Sequence, residues 1–156
     1  MDPNHAVSLQ IARSRGMAAV HARLAAARVP AAFATYLDQV YAAARVGAVV
    51  LDGQNIFLYR DGPDGELEVE FGVGVAAPFP AAGPVRYCEV PAGPAATATH
   101  LGDYRRLGEA HAAVIAWCRA NGRALAGPRW EIYAHSSPAD PQPRTDVYYL
   151  LAENNA

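Results

Sequence analysis

The stretch Ala95-Ala96-Thr97-Ala98-Thr99-His100-Leu101-Gly102-Asp103-Tyr104-Arg105-Arg106-Leu107 changes period in its middle, and the fold class follows from that change. Up to Leu101 small and β-branched residues alternate in the manner of a strand, and Gly102-Asp103 punctuates the run. From Leu107 the apolar residues Leu107, Ala110, Val114 and Trp117 recur at helical spacing. Asn121-Gly122 then supplies a helix stop. Strand, turn and helix are thus written in one continuous segment.

On its N-terminal side, Val85–Val90 reads as a strand, with Gly93 between it and this unit. Trp130–His135 and Thr145–Ala152 read as strands after the helix, joined by the polar, proline-rich turn Ser136–Pro143. The same order occurs earlier. Ala6–Ala12 and Met17–Leu24 are strand-like, with Gly16 between them. A helix opens near Pro30, with Phe33, Leu37, Val40 and Ala44 on one face. Asn55–Arg60 is a strand, and Asp61-Gly62-Pro63-Asp64-Gly65 is a turn by composition. In Glu66–Val73 the acids Glu66, Glu68 and Glu70 point one way and Leu67, Val69, Phe71 and Val73 the other. Residues 77–84, rich in Pro, Ala and Gly, link the two series.

The expected fold is therefore α+β: one domain over residues 1–156, made of two pseudo-symmetric β-β-α-β-β halves, about 6–76 and 85–152. Gly16 corresponds to Gly93, Tyr59 to Tyr133, and Glu70 to Asp146 at nearly constant offset. Such halves form adjacent antiparallel sheets with helices on one face and a ligand groove between them.

Composition narrows the function. The chain has 156 residues, 52% apolar and 18% charged, enough for a real core. Net charge is −2, and the 13 basic residues are all scattered arginines apart from the adjacent Arg105 and Arg106. No basic stripe with interleaved aromatics is present, so direct nucleic-acid binding is not expected. The N-terminal residues lack the charged and apolar regions of a signal peptide, and no apolar run reaches membrane-spanning length. A cytoplasmic protein is expected. Cys88 and Cys118 have no metal-ligand spacing and read as free thiols. His21 and His100 lie near the ends of equivalent strands, His5, His111 and His135 are scattered, and the histidines read as structural. No zinc-protease motif, P-loop, nucleophile elbow or dinucleotide fingerprint occurs, so no cofactor and no metal are expected. Gly72-Val73-Gly74 lacks the rest of a nucleotide-binding motif.

Glu131 is the first candidate for chemistry. It stands between Trp130 and Ile132 in an otherwise apolar strand. Alternation sets Glu131 and Tyr133 on one face, and Trp130 and Ile132 on the other. Packing of the large apolar pair under the helices would leave Glu131 in the groove. A shielded carboxylate costs free energy unless compensated, and a cationic ligand is one compensation. By the repeat, Phe57 and Tyr59 take the places of Glu131 and Tyr133. Tyr148 shares a face with Asp146. Tyr36 and Tyr41 on the first helix are weaker candidates, one of which would reach the rim. Glu70 and Asp146 would add negative potential. Aromatic walls around one acid suit a flat cation.

The segment His100–Leu107, the helix running to Trp117-Cys118-Arg119-Ala120-Asn121-Gly122, and the pair Glu131-Ile132-Tyr133 with Arg144-Thr145-Asp146-Val147-Tyr148 together resemble the GyrI-like domain. That domain is the effector-binding module of multidrug-responsive bacterial regulators and also occurs alone in gyrase-inhibitor-like proteins. The resemblance is close over residues 85–152 and architectural over 6–76. It departs at Thr145-Asp146, where the family often has Thr-Glu followed by proline. No helix-turn-helix segment precedes the domain, so a DNA-binding regulator is not expected. The resemblance implies a small-molecule-binding protein that captures hydrophobic, cationic aromatic ligands, with Glu131 meeting the cation. It implies as an alternative a hydrolase of cyclopropane-bearing or other electrophilic natural products, with Glu131 as acid or base and Tyr133 or Tyr148 orienting the substrate. A gyrase-inhibitor type of protein interaction is a third implication.

Overall fold

The computed structural model describes residues 5–134 and 143–153. His135 and most of the expected turn Ser136–Pro143 lie outside the described residues. The elements are β1 (Ser8–Ala12), β2 (Arg15–Leu24), α1 (Val29–Arg45), β3 (Leu51–Asp61), β4 (Leu67–Val75), β5 (Val85–Val90), β6 (Gly93–Leu101), α2 (Leu107–Ala120), β7 (Leu125–Ala134) and β8 (Arg144–Leu151). The α+β class is as expected. Two compact units are present, one Ser14–Val90 and the other running up to Arg13 and resuming at Pro91.

In the Ser14–Val90 unit the antiparallel order is β3-β4-β2-β5. Pro30 sits in the first turn of α1, where its missing N–H removes no intrahelical bond. Leu37, Val40 and Ala43 face the sheet and are buried, while Phe33, expected on that face, is 40% exposed. Val69, Phe71 and Val73 are buried from β4, matching the alternation in the sequence. Asp64, at φ 60°, and Gly65, at φ 77°, turn the chain between β3 and β4. Glycine takes that region freely and Asp tolerates it, which is the conformational reason for the Asp-Gly pair.

In the other unit the antiparallel order is β1-β6-β8-β7. Leu107, Ala110, Val114 and Cys118 of α2 pack on Ala96, Ala98, Val147, Tyr149 and Leu151. Trp117 is half-buried beside this cluster rather than central to it. The helix ends as the sequence indicates. The Asn121 amide N–H donates to the Trp117 carbonyl at 3.0 Å, and Gly122 follows at φ 64°.

The two compact units are not the two halves of the sequence. β1 pairs with β6, and β5 pairs with β2, so each sequence half gives its first strand to the unit built by the other. The connections explain this. Only Arg13-Ser14 joins β1 to β2, and only Pro91-Ala92 joins β5 to β6. A two-residue hairpin needs positive φ, which Gly, Asn or Asp supplies. Neither dipeptide contains one, so these neighbouring strands do not fold back on each other.

Both cysteines are free. Burial, aided by the Glu70 charge, pushes the Cys88 thiol up to about 12. A thiol of that pKa is ionised to roughly one part in ten thousand at pH 8, and only the thiolate attacks. Iodoacetamide should therefore alkylate native Cys88 at least a hundredfold more slowly than a free cysteine (an order-of-magnitude figure), as peptide mass mapping would show. Reaction at the free-cysteine rate would contradict the partial burial of Cys88. Among the described residues no helix is long and apolar enough to cross a membrane.

Candidate functional site

β7 enters the helix-covered face of its sheet with Glu131 and Tyr133. Glu131 is 5% exposed. Tyr133 O–H donates to Glu131 Oε1 at 2.7 Å. On the other oxygen, His111 Nε2 lies 2.6 Å from Oε2. His111 Nδ1 is in turn 2.7 Å from the Tyr149 hydroxyl. With a neutral imidazole, one proton placement satisfies these three contacts together: Tyr149 donates to Nδ1, Nε2–H donates to Glu131, and Tyr133 donates to Glu131. The result is a four-residue chain, Tyr133–Glu131–His111–Tyr149, spanning β7, α2 and β8.

Aromatic rings surround this chain. Tyr104 stands edge-on to Tyr133 with centroids 5.6 Å apart, and Tyr104 itself is 53% exposed. Tyr149 meets the His111 ring edge-on at 5.6 Å. Burial, then the Glu131 charge and the bond to it, raise the Tyr133 pKa, so the phenol stays protonated and remains a donor.

The structure corrects the expected facing. Glu131 and Tyr133 do share a face, but it is the face under α2. Trp130 and Ile132 take the opposite face. There Trp130, 1% exposed, stacks on Tyr148 with centroids 5.4 Å apart and planes 5° from parallel. The reason is pairing: the α2 face supplies His111 and Tyr133 to the buried carboxylate, and the opposite face supplies the Tyr148 ring to the indole.

Tyr148 and Asp146 lie with Trp130, on the other side of β8 from Glu131. Asp146 accepts from Thr99 Oγ1 at 2.7 Å and from Arg144 Nε at 3.3 Å. These two residues border a concavity of about 390 Å³ with Ser8, Gln10 and Thr99. In the Ser14–Val90 unit Phe57 packs edge-on to Phe71 at 5.2 Å, and Tyr36 stacks on Phe71 at 5.1 Å. Tyr59 is 8% exposed in the same strand as Phe57. Tyr41 O–H donates to Asn55 Oδ1 at 2.5 Å. Glu70 lies apart from that aromatic group and is bonded to His21 Nδ1 at 2.7 Å.

The expectation that the histidines are merely scattered is also corrected. His111 belongs to the Glu131 chain, and His5 Nε2 meets His100 Nδ1 at 2.9 Å. His111 stands one turn after Leu107 on the buried stripe of α2, and that placement was the available signal. Among the described residues no group of three or more His, Cys, Asp and Glu could hold a metal ion.

Thr145 lies across from Tyr133 on β7 and from His100 on β6. Its side chain is fully buried, and its Oγ1 has no hydrogen-bond partner among the described residues. Thr145→Val keeps the shape and removes the unsatisfied group. Stability should stay level or rise by up to about 1 kcal/mol, read from the urea midpoint. A loss of that size would mean the hydroxyl is bonded in solution.

A family model for the GyrI-like small-molecule-binding domain matches residues 15–152. No curated protein sequence matches the chain. Solved structures share its fold. The C-terminal domain of EcmrR is 16% identical, with 96% of this chain and 99% of that one covered, at a TM-score of 0.72. SAV2435 bound to tetraphenylphosphonium is 9% identical, with 94% of each chain covered, at 0.66. A hydrolase from Listeria innocua is 12% identical, with 96% and 93% covered, at 0.56. An α+β chain with these features is of the small-molecule-binding class. It belongs to the GyrI-like small-molecule-binding domain family.

Proposed function

We propose that the protein captures hydrophobic, cationic aromatic molecules, with Glu131 as the counter-charge. One observation carries this reading: a carboxylate 5% exposed, held from both oxygens and walled by tyrosines. A buried charge is costly, and a delocalised cation offsets that cost without needing many hydrogen bonds. Faces of Tyr133 and Tyr104 add cation–π attraction of ~0.5–2 kcal/mol each, the larger figure when desolvated. SAV2435, which shares the fold, is seen with tetraphenylphosphonium, so that cation is the first probe. Phe57, Tyr59, Tyr36, Tyr148, Glu70 and Asp146 stay as secondary candidates for ligand contact. Titration calorimetry with tetraphenylphosphonium should give saturable binding and a rise in Tm with ligand concentration. Absence of both across a panel of aromatic cations would remove the reading.

A second reading has one observation in its favour. Catalysis at Glu131 would need a partner group, and His111 is within 2.6 Å of it. Such a pair can hold and move a proton in the hydrolysis of a strained electrophilic ring. Product analysis with a cyclopropane-bearing substrate tests it, and turnover unchanged in Glu131→Gln would end it.

A further inference from the structure

We propose that His111 is a positioning and specificity-determining residue of this site, and that it makes cation capture proton-linked. The inference rests on the cation-binding reading above. His111 touches both Glu131 Oε2, at 2.6 Å, and the Tyr149 hydroxyl, at 2.7 Å. The tyrosine hydroxyl can turn to donate or to accept. With a neutral ring, Tyr149 donates to Nδ1. With a protonated ring, Nδ1–H donates to Tyr149. In both states Nε2–H points at Glu131, so the ring takes up or gives off a proton without leaving its place.

The protonated ring is itself a cation seated on the carboxylate. It then fills the electrostatic role that the ligand brings, and one carboxylate charge cannot neutralise both. The ligand therefore binds the form with neutral His111 more tightly, and binding to the protonated form expels the proton. By linkage, affinity is lowest at acid pH, rises as His111 loses its proton, and levels off above that point.

The groups around the ring come from each packed element. β7 presents Glu131 and Tyr133 and, two residues before Glu131 on the same face and across from Tyr149, the cation Arg129, whose Nη1 donates to the Gly127 carbonyl at 3.1 Å. β8 presents Tyr149. β6 presents alanines and His100, the latter engaged with His5 and with the Asp103 carbonyl at 2.7 Å. Of these groups, Glu131 is the acid that touches the ring, which ties the linkage to that pair.

The test is calorimetry of tetraphenylphosphonium binding between about pH 5.5 and 8.5, the range over which a histidine titrates. It is run in buffers of different ionisation enthalpy, so that released protons are counted. The native protein should tighten by up to about tenfold per pH unit at the acid end and release up to one proton. His111→Gln should bind with little pH dependence and release none. Binding that is pH-independent in the native protein overturns the proposal, as does the same pH slope in His111→Gln. If His111→Gln fails to fold, His111→Asn takes its place, and the native proton count stands by itself. No binding at any pH removes the cation reading itself, an outcome distinct from binding without proton linkage.

Discussion

Glu131→Gln should weaken tetraphenylphosphonium binding by roughly 30- to 150-fold, about 2–3 kcal/mol, while leaving the fold intact. The substitution is nearly isosteric. The amide oxygen can still accept from Tyr133, and the amide nitrogen can donate to His111 Nε2 once the ring changes tautomer. Tyr149 can follow by turning its hydroxyl to accept. The hydrogen-bond chain survives, and only the negative charge is lost. A charge facing a cation in a shielded place contributes more than the same charge on the surface, because little water screens it. A neutral ligand of similar shape, triphenylphosphine oxide, should bind the native protein and the Glu131→Gln variant alike. Equal affinity of both proteins for the cation would show that its charge is met elsewhere. Circular dichroism and an unchanged melting profile would exclude unfolding as the cause of a loss.

The second large effect is on stability. Gly72→Ala should cost about 3 kcal/mol and lower Tm by about 6–12 °C for a chain of this length. Gly72 sits in β4 opposite Ala19 of β2 and Ile56 of β3. A Cβ there would lie 2.4 Å from the Ala18 carbonyl oxygen, 2.7 Å from Met17 Cε and 2.9 Å from Ala19 Cβ. The methionine end could swing away. The carbonyl cannot, because it belongs to the β2 backbone between two paired strands. Room for the methyl requires β2 to shift, and the core residues Met17, Ala18, Ala19 and Val20 shift with it. A urea midpoint unchanged from the native protein would mean that β2 and β4 are less closely packed than described. Gly72 is thus a packing residue, consistent with its lack of a complete nucleotide-binding motif.

Local pattern was enough for the elements. Period and punctuation place both helices and the strands, because a helix or strand needs one apolar face and its ends need particular residues. Leu107 to Asn121-Gly122 is legible in this way, as is the alternation of Glu66–Val73. Alternation also sets Glu131 with Tyr133, and Trp130 with Ile132, since a two-residue period allows no other grouping. Which group lies under the helix was settled by packing. That choice depends on His111 for the carboxylate and Tyr148 for the indole, partners on other elements whose placement local pattern does not contain. Packing settled too that β1 joins β6 and that β5 joins β2, through pairings between residues about 65 to 90 positions apart. His111 became part of the site for the same reason. Its meeting with Glu131 is a contact across twenty residues, made only when α2 is laid on its sheet.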